Sequence, residues 1–198
     1  MNYGHALEFG TFITPRSDAP GDVIDLAVRS EALGYDLVTF QDHPYMPENL
    51  DAWTLLAWVA GRTERLRLAA NVLNLPLRDP AVLARSAASL DLLSGGRLEL
   101  GLGAGGFPHA IAAMGGERRS PGEAVEALGE AIDIIRSMLG GAGNAIRHRG
   151  DHYTVAGAQG GPVPAHEIPI WVGATKARML RLIGRKADGW LPTLDRTE

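Results

Sequence analysis

Apolar, β-rich runs alternate with segments of helical period along this chain, and that alternation constrains the fold more than any single motif does. "ALEFGTFI" reads as a first strand and "DVIDLAVRSEALG" as a helix ended by Gly34. "DLVTFQ" is the second strand. "DAWTLLAWVAGRT" follows as a helix, with Asp51 as N-cap and Trp53, Leu56, Ala57 and Ala60 on one face. "RLRLAANVL" is the third strand. Asp79–Pro80 then sets an N-cap and a first-turn proline for a helix running through Val82, Leu83, Ala87, Leu90 and Leu93 to "SGG". "RLELGLG" is the fourth strand. Ser120-Pro121-Gly122-Glu123 is a capping box, and its helix carries Val125, Leu128, Ile132, Ile135 and Leu139 on one stripe. "IRHRGDHYTVAG" predicts a hairpin turning at Arg149-Gly150-Asp151. "IPIWVGA", the helix "KARMLRLIGRKA" and the strand "DGWLP" complete the pattern. Six core strands separated by helices predict an α/β fold, a parallel sheet covered by helices.

Two architectures share that pattern, a doubly wound open sheet and a (β/α) barrel. "GLGAGG", Gly101 to Gly106, satisfies G-x-G-x-x-G in letters. A dinucleotide site needs a helix to start at the third glycine and an acid at the end of the next strand. Here "FPHAIAAMGGERR" intervenes, the next well-capped helix begins near Pro121, and the motif follows the fourth strand rather than the first. The glycines fit better as a strand end that something flat, or another backbone, approaches closely. Small and polar groups recur at the same end of successive strands: Asp42-His43, Asn71-Val72, Ala104-Gly105 and Gly173-Ala174-Thr175. Chemistry gathers at those ends in a barrel, and the barrel is the architecture expected.

Composition excludes several functions. A net charge of −4 gives no footprint for nucleic acid or an anionic membrane. With no cysteine there are no disulfides, thiolate chemistry or Cys-based zinc sites. His109, His148, His152 and His166 show no metal spacing. No window reaches transmembrane length and "MNYGHALEFG" is not a signal peptide, so a cytoplasmic protein is expected.

"QDHPY", "ANVLNLPLRDP", "SGGRLELGLGAGGF" and "IPIWVGATKARMLRLIGRKADGWLP", in this order, resemble the luciferase-like flavin and deazaflavin oxidoreductases, a TIM-barrel superfamily. The resemblance spans nearly the whole of residues 1–198, read as a single domain. An Asp-His pair after the second strand is similar to the subgroup that uses the deazaflavin coenzyme F420, with FMN as the alternative. The resemblance implies that His43 lies beside the coenzyme ring as proton donor or acceptor. It implies that Asp42 hydrogen-bonds the coenzyme or orients His43, and that Asn71–Val72 is a non-proline cis peptide behind the ring. Ala104 and Gly105 would leave room at the ring edge, and Gly173, Ala174 and Thr175 would hold the phosphate of the coenzyme tail. The residues alone leave plainer readings open: His43 as a loop residue, and Gly173-Ala174-Thr175 as a strand-to-helix turn with Thr175 as N-cap.

An eight-stranded barrel takes about 250 residues, and this chain ends at Glu198, after the sixth strand. A (β/α)8 barrel truncated after the sixth strand is therefore expected, with two strand edges left for a homodimer partner or a complementing chain to cover. Three functions follow. The first is hydride transfer between F420 and a small organic substrate, against a wall of Phe12, Phe107 and Trp190. The second is FMN-dependent monooxygenation, and the third a non-catalytic flavin-binding fragment. The Asp-His pair favours F420, because hydride transfer to a deazaflavin has to be balanced by a proton.

Overall fold

The computed structural model describes residues 4 and 6–193. Its strands are β1 (Gly10–Ile13), β2 (Leu37–Phe40), β3 (Arg67–Ala70), β4 (Leu73–Asn74), β5 (Leu98–Gly103), β6 (Ala145–Arg149), β7 (Thr154–Gln159), β8 (Ile170–Gly173) and β9 (Gly189–Leu191). The helices are α1 (Pro20–Ala32), α2 (Ala52–Ala60), α3 (Pro80–Ser94), α4 (Pro108–Ala113), α5 (Pro121–Gly140) and α6 (Ala177–Lys186). The main sheet runs β1-β2-β3-β5-β8-β9, all parallel, with β4 pairing beside β5. Spatial order follows chain order throughout. A doubly wound sheet reverses its order at a switch point; this one does not, and it forms a half-barrel. Among the described residues, β1 and β9 each have one strand neighbour in this sheet.

Alternation along each strand separates the two faces. Val38, Phe40, Leu68, Leu100 and Val172 point outward into one core shared with α2, α3 and α5. Burying a side chain such as Phe40 contributes about 1.5–3 kcal/mol. The caps fall where the sequence sets them. Asp51 accepts from Thr54 N–H, Asp79 from Ala81 and Val82, and Ser120 and Glu123 close a capping box. "IRHRGDHYTVAG" forms the antiparallel pair β6–β7, and its turn is held by Glu130, whose carboxylate accepts from the N–H groups of Asp151, His152 and Tyr153.

Two helix faces differ from the sequence reading. The buried stripe of α2 is Ala52, Leu55, Leu56, Val59 and Ala60, with Ala57 exposed. On α3, Leu83, Ala87 and Leu90 are buried, whereas Val82 and Leu93 face solvent at 64% and 86% exposure. In both helices abundant alanine lets the chain pack closely, so the core-facing stripe includes small residues that an apolar count ranks low. Two further differences are local. "RLRLAANVL" is two strands, β3 and β4, separated at Asn71–Val72, and "FPHAIAAM" contains the short helix α4.

At the N-terminal end of the sheet, buried charges are tied to backbone. Arg97 donates to the carbonyls of Ser94 (2.6 Å), Leu66 (3.0 Å) and Ala60 (2.7 Å) and to the Thr63 hydroxyl (2.9 Å). Asp91, at 0% exposure, accepts from the N–H groups of Leu98, Ala165 and His166. Glu31 accepts from Glu64, Arg65 and Leu66 and so fixes the entry to β3.

Candidate active site

The register of the first three strands sets the site. Ile13 pairs with Phe40 and Phe40 with Ala70, so these strands finish level with one another. The chain then leaves the sheet at Asp42-His43 on one side and Asn71–Val72 on the other, with Asn71 N–H donating to Phe40 O at 2.7 Å. Asn71–Val72 is cis. The cavity at this end, of about 420 Å³, is lined by Asp42, His43, Asn71, Val72, Ala104, Gly105, Gly173, Ala174 and Thr175. The residues expected at the coenzyme thus meet around one space of the size that small ligands fill.

The cavity floor is built by what is missing from it. A Cβ on Gly103 would lie 2.5 Å from Val72 Cγ2, and one on Gly173 would lie 3.0 Å from Val72 Cγ1. The Val72 methyls therefore occupy the space left by two glycines on neighbouring strands, making an apolar ridge. Gly105 has φ +88°, and a Cβ there would meet Ile111 at 2.7 Å and Pro76 at 2.8 Å. Such a floor lets a flat ring approach the backbone closely. At the far side, α6 opens from Lys176 with no side-chain cap, so its first N–H groups are not taken by a side chain. Thr175 is not the N-cap.

Asp42 and His43 diverge. Asp42, 3% exposed, accepts from Asn74 N–H at 2.8 Å and from Arg78 Nε at 3.2 Å, and both of its oxygens accept from Arg78 Nη2. Burial works against the Arg78 charge, but Asp42 and then Asp51 outweigh it and raise its pKa above the usual arginine value. No hydrogen bond joins Asp42 to His43. His43 instead places Nδ1 2.8 Å from the Tyr45 hydroxyl, and its ring lies 5.7 Å, edge-on, from that of Phe107. Burial raises the Tyr45 pKa, with the Asn74 side chain acting in the opposite direction and the Asp42 charge adding to the rise. Of the three residues of the expected apolar wall, Phe107 lines the cavity. Trp190 lies outside the lining and donates from Nε1 to Ala174 O at 2.8 Å. Phe12, on β1, is half exposed and also lies outside the lining.

Sequence reasoning missed Tyr45, Asn74 and Arg78. Tyr45 stands two positions after His43 in the quoted "QDHPY", and Asn74 and Arg78 lie in "ANVLNLPLRDP". Their relevance depends on contacts that local periodicity does not report: Asn74 N–H and Arg78 reach Asp42 across more than thirty residues, and Tyr45 meets His43 through the shape of its loop.

The family model for luciferase-like monooxygenases matches residues 1–198. An F420-dependent glucose-6-phosphate dehydrogenase of Amycolatopsis mediterranei is 33% identical over 193 residues, covering 94% of this chain and 57% of the relative. One from Kribbella flavida is 34% identical over 194 residues, covering 95% and 58%. Among solved structures, an F420-dependent secondary alcohol dehydrogenase in complex with an F420–acetone adduct superposes with a TM-score of 0.85 at 22% identity, covering 95% of this chain and 58% of that one. The coenzyme F420 dependent tetrahydromethanopterin reductase from Methanopyrus kandleri gives 0.79 at 24%, covering 95% and 56%. At those identities the likeness establishes the fold. The chain spans somewhat more than half the length of the curated relatives it matches. With its parallel half-barrel and full-length match, this chain belongs to the luciferase-like monooxygenase family.

Proposed function

We propose that this chain carries the coenzyme face of an F420-dependent oxidoreductase that moves a hydride between the deazaflavin and a small organic substrate. The observation that supports this most is the single cavity in which His43 stands beside the ridge of Val72 set into Gly103 and Gly173. The names of the relatives at 33% and 34% identity favour F420 over FMN. F420, when bound, gives or takes the hydride.

The chain's own residues do the rest. Val72, on its glycine floor, supports the back of the ring, and Ala104 and Gly105 leave room at its edge. Gly173, Ala174 and Thr175, with the uncapped start of α6, hold the tail phosphate. His43 gives or takes the balancing proton at Nε2. Asp42, which lines the cavity, is paired with Arg78 and holds the β2 end and the β4 turn together. Phe107 supplies the apolar side of the substrate space. We read residues 1–198 as one barrel domain, cytoplasmic, whose outer strands β1 and β9 are covered by a homodimer partner or a complementing chain.

The test is fluorescence titration of F420, and separately of FMN, into wild type and Thr175→Ala. Saturable F420 binding is expected, weakened about three- to tenfold in Thr175→Ala by loss of one hydrogen bond. Tight FMN binding with no F420 binding contradicts the coenzyme assignment. Coenzyme reduction with a panel of donors, glucose 6-phosphate and secondary alcohols among them, then identifies the substrate class.

A further inference from the structure

His43 offers only one of its ring nitrogens to the cavity, because Nδ1 is taken up by Tyr45 at 2.8 Å. Which nitrogen carries the proton therefore depends on the direction of that bond. A phenol hydroxyl has one hydrogen to give and can accept in return. The chemistry of the pair sets the direction: of the two neutral groups the phenol is the stronger acid and the imidazole nitrogen the stronger base, so the hydroxyl donates and Nδ1 accepts. The neighbouring Asn74 is fixed through its backbone, since its N–H donates to Asp42, which Arg78 holds.

We propose that Tyr45 is the positioning residue of this site: its hydroxyl donates to His43 Nδ1 and fixes the tautomer in which Nε2 carries the proton and faces the bound molecule. The ring contacts support the same orientation. Tyr45 and Phe107 stand 5.6 Å and 5.7 Å from the His43 centroid and 5.7 Å from each other, so the imidazole is packed in a cluster of three rings. In this state neutral His43 enters the cavity as a hydrogen-bond donor, ready for the direction in which a substrate atom gains negative charge as it receives a hydride. This inference rests on the reading of His43 as the proton partner.

The experiment is nitrogen NMR of the chain with ¹⁵N-labelled histidine, with the His43 signals assigned by their loss in His43→Ala. Wild type is expected to show protonated Nε2 and an unprotonated Nδ1 that accepts a hydrogen bond. Tyr45→Phe, which keeps the ring and removes the hydroxyl, should lose the hydrogen-bonded Nδ1 signature and admit the other tautomer. Its turnover should fall about tenfold, the worth of one orienting hydrogen bond, while coenzyme affinity stays unchanged. Asn74→Ala leaves the hydroxyl in place and is expected to keep the Nδ1 signature, which separates the hydroxyl's role from general loosening. Protonated Nδ1 in wild type, or a His43 spectrum or turnover unmoved in Tyr45→Phe, overturns the proposal. If His43→Ala turns over as fast as wild type, the proton role fails while the tautomer result still stands on its own.

Discussion

The two ends of the same sheet treat buried polar groups in opposite ways. At the N-terminal end, Arg97 gives its hydrogens to three carbonyls and a hydroxyl, Asp91 accepts from three backbone N–H groups, and Glu31 accepts from three more. Each ties a loop to a strand start. At the C-terminal end, Asn74 Oδ1 has no partner, His43 has a nitrogen to spare, and glycines hold space open. Polar groups with every bond made contribute to stability, whereas groups left with bonding capacity are available to a ligand. Barrels divide their ends in this way, with activity at the C-terminal face and stability at the other. Exceptions stand on both sides: Glu99, on the concave face, pairs with Arg67 at 2.7 Å and leaves Oε2 unbonded, His166 Nδ1 lies beside Asp91 without a hydrogen bond, and Asp42 at the C-terminal end is fully bonded.

The comparison breaks most easily at Arg97. Arg97→Ala strips hydrogen bonds from three buried carbonyls, and about 3–5 kcal/mol of stability should be lost in urea unfolding. A loss under 1 kcal/mol would mean that the N-terminal end does not carry stability as argued. Glu31→Gln is the next largest. It keeps an acceptor but loses the charge that serves three N–H groups, for an expected cost of about 1–3 kcal/mol by the same measurement.

Acid sharpens the contrast further. Burial alone would raise the Glu31 pKa, but the N–H groups of Arg65, Leu66 and Glu64 outweigh it and hold it below the ordinary value of 4.5. Burial likewise opposes a lowering at Glu130, and the N–H groups of His152, Asp151 and Tyr153 overcome it. A depressed folded-state pKa gives stability that is present above the unfolded value and lost as pH falls through the folded one. Unfolding free energy should therefore decline below about pH 4.5, and less so in Glu31→Gln. Burial raises Glu99, against the opposing charge of Arg67, so its contribution has the reverse sign: it disfavours folding increasingly as pH rises from the ordinary value of 4.5 through the raised pKa. An acid decline as steep in Glu31→Gln as in wild type would contradict the Glu31 assignment.

How much of this was legible in the sequence follows the range of the interactions. The strands, the three side-chain helix caps and the hairpin are local, and Asp51, Asp79 and Ser120 cap where their neighbours require. The gathering of strand ends around one cavity was legible because parallel order and register follow from the alternation. The buried faces of α2 and α3 were not, because Ala52, Ala84 and Ala88 pack by smallness rather than by hydrophobic strength. Nor were the partners of Asp42 and His43. Arg78 lies 36 residues from Asp42, and it reaches the carboxylate only after the chain turns at Asn71–Val72. Tyr45 was in view as a letter, but its bond to His43 depends on a loop conformation that spacing does not specify.

The most direct test of this division of labour is His43→Ala, measured twice on the same preparation. Its unfolding free energy should stay within about 1 kcal/mol of wild type, since the side chain lies at a cavity rim and caps no buried network. Its coenzyme turnover should fall about 10²–10⁴-fold, with coenzyme affinity nearly unchanged. A variant that unfolds easily yet turns over normally when folded would contradict the account.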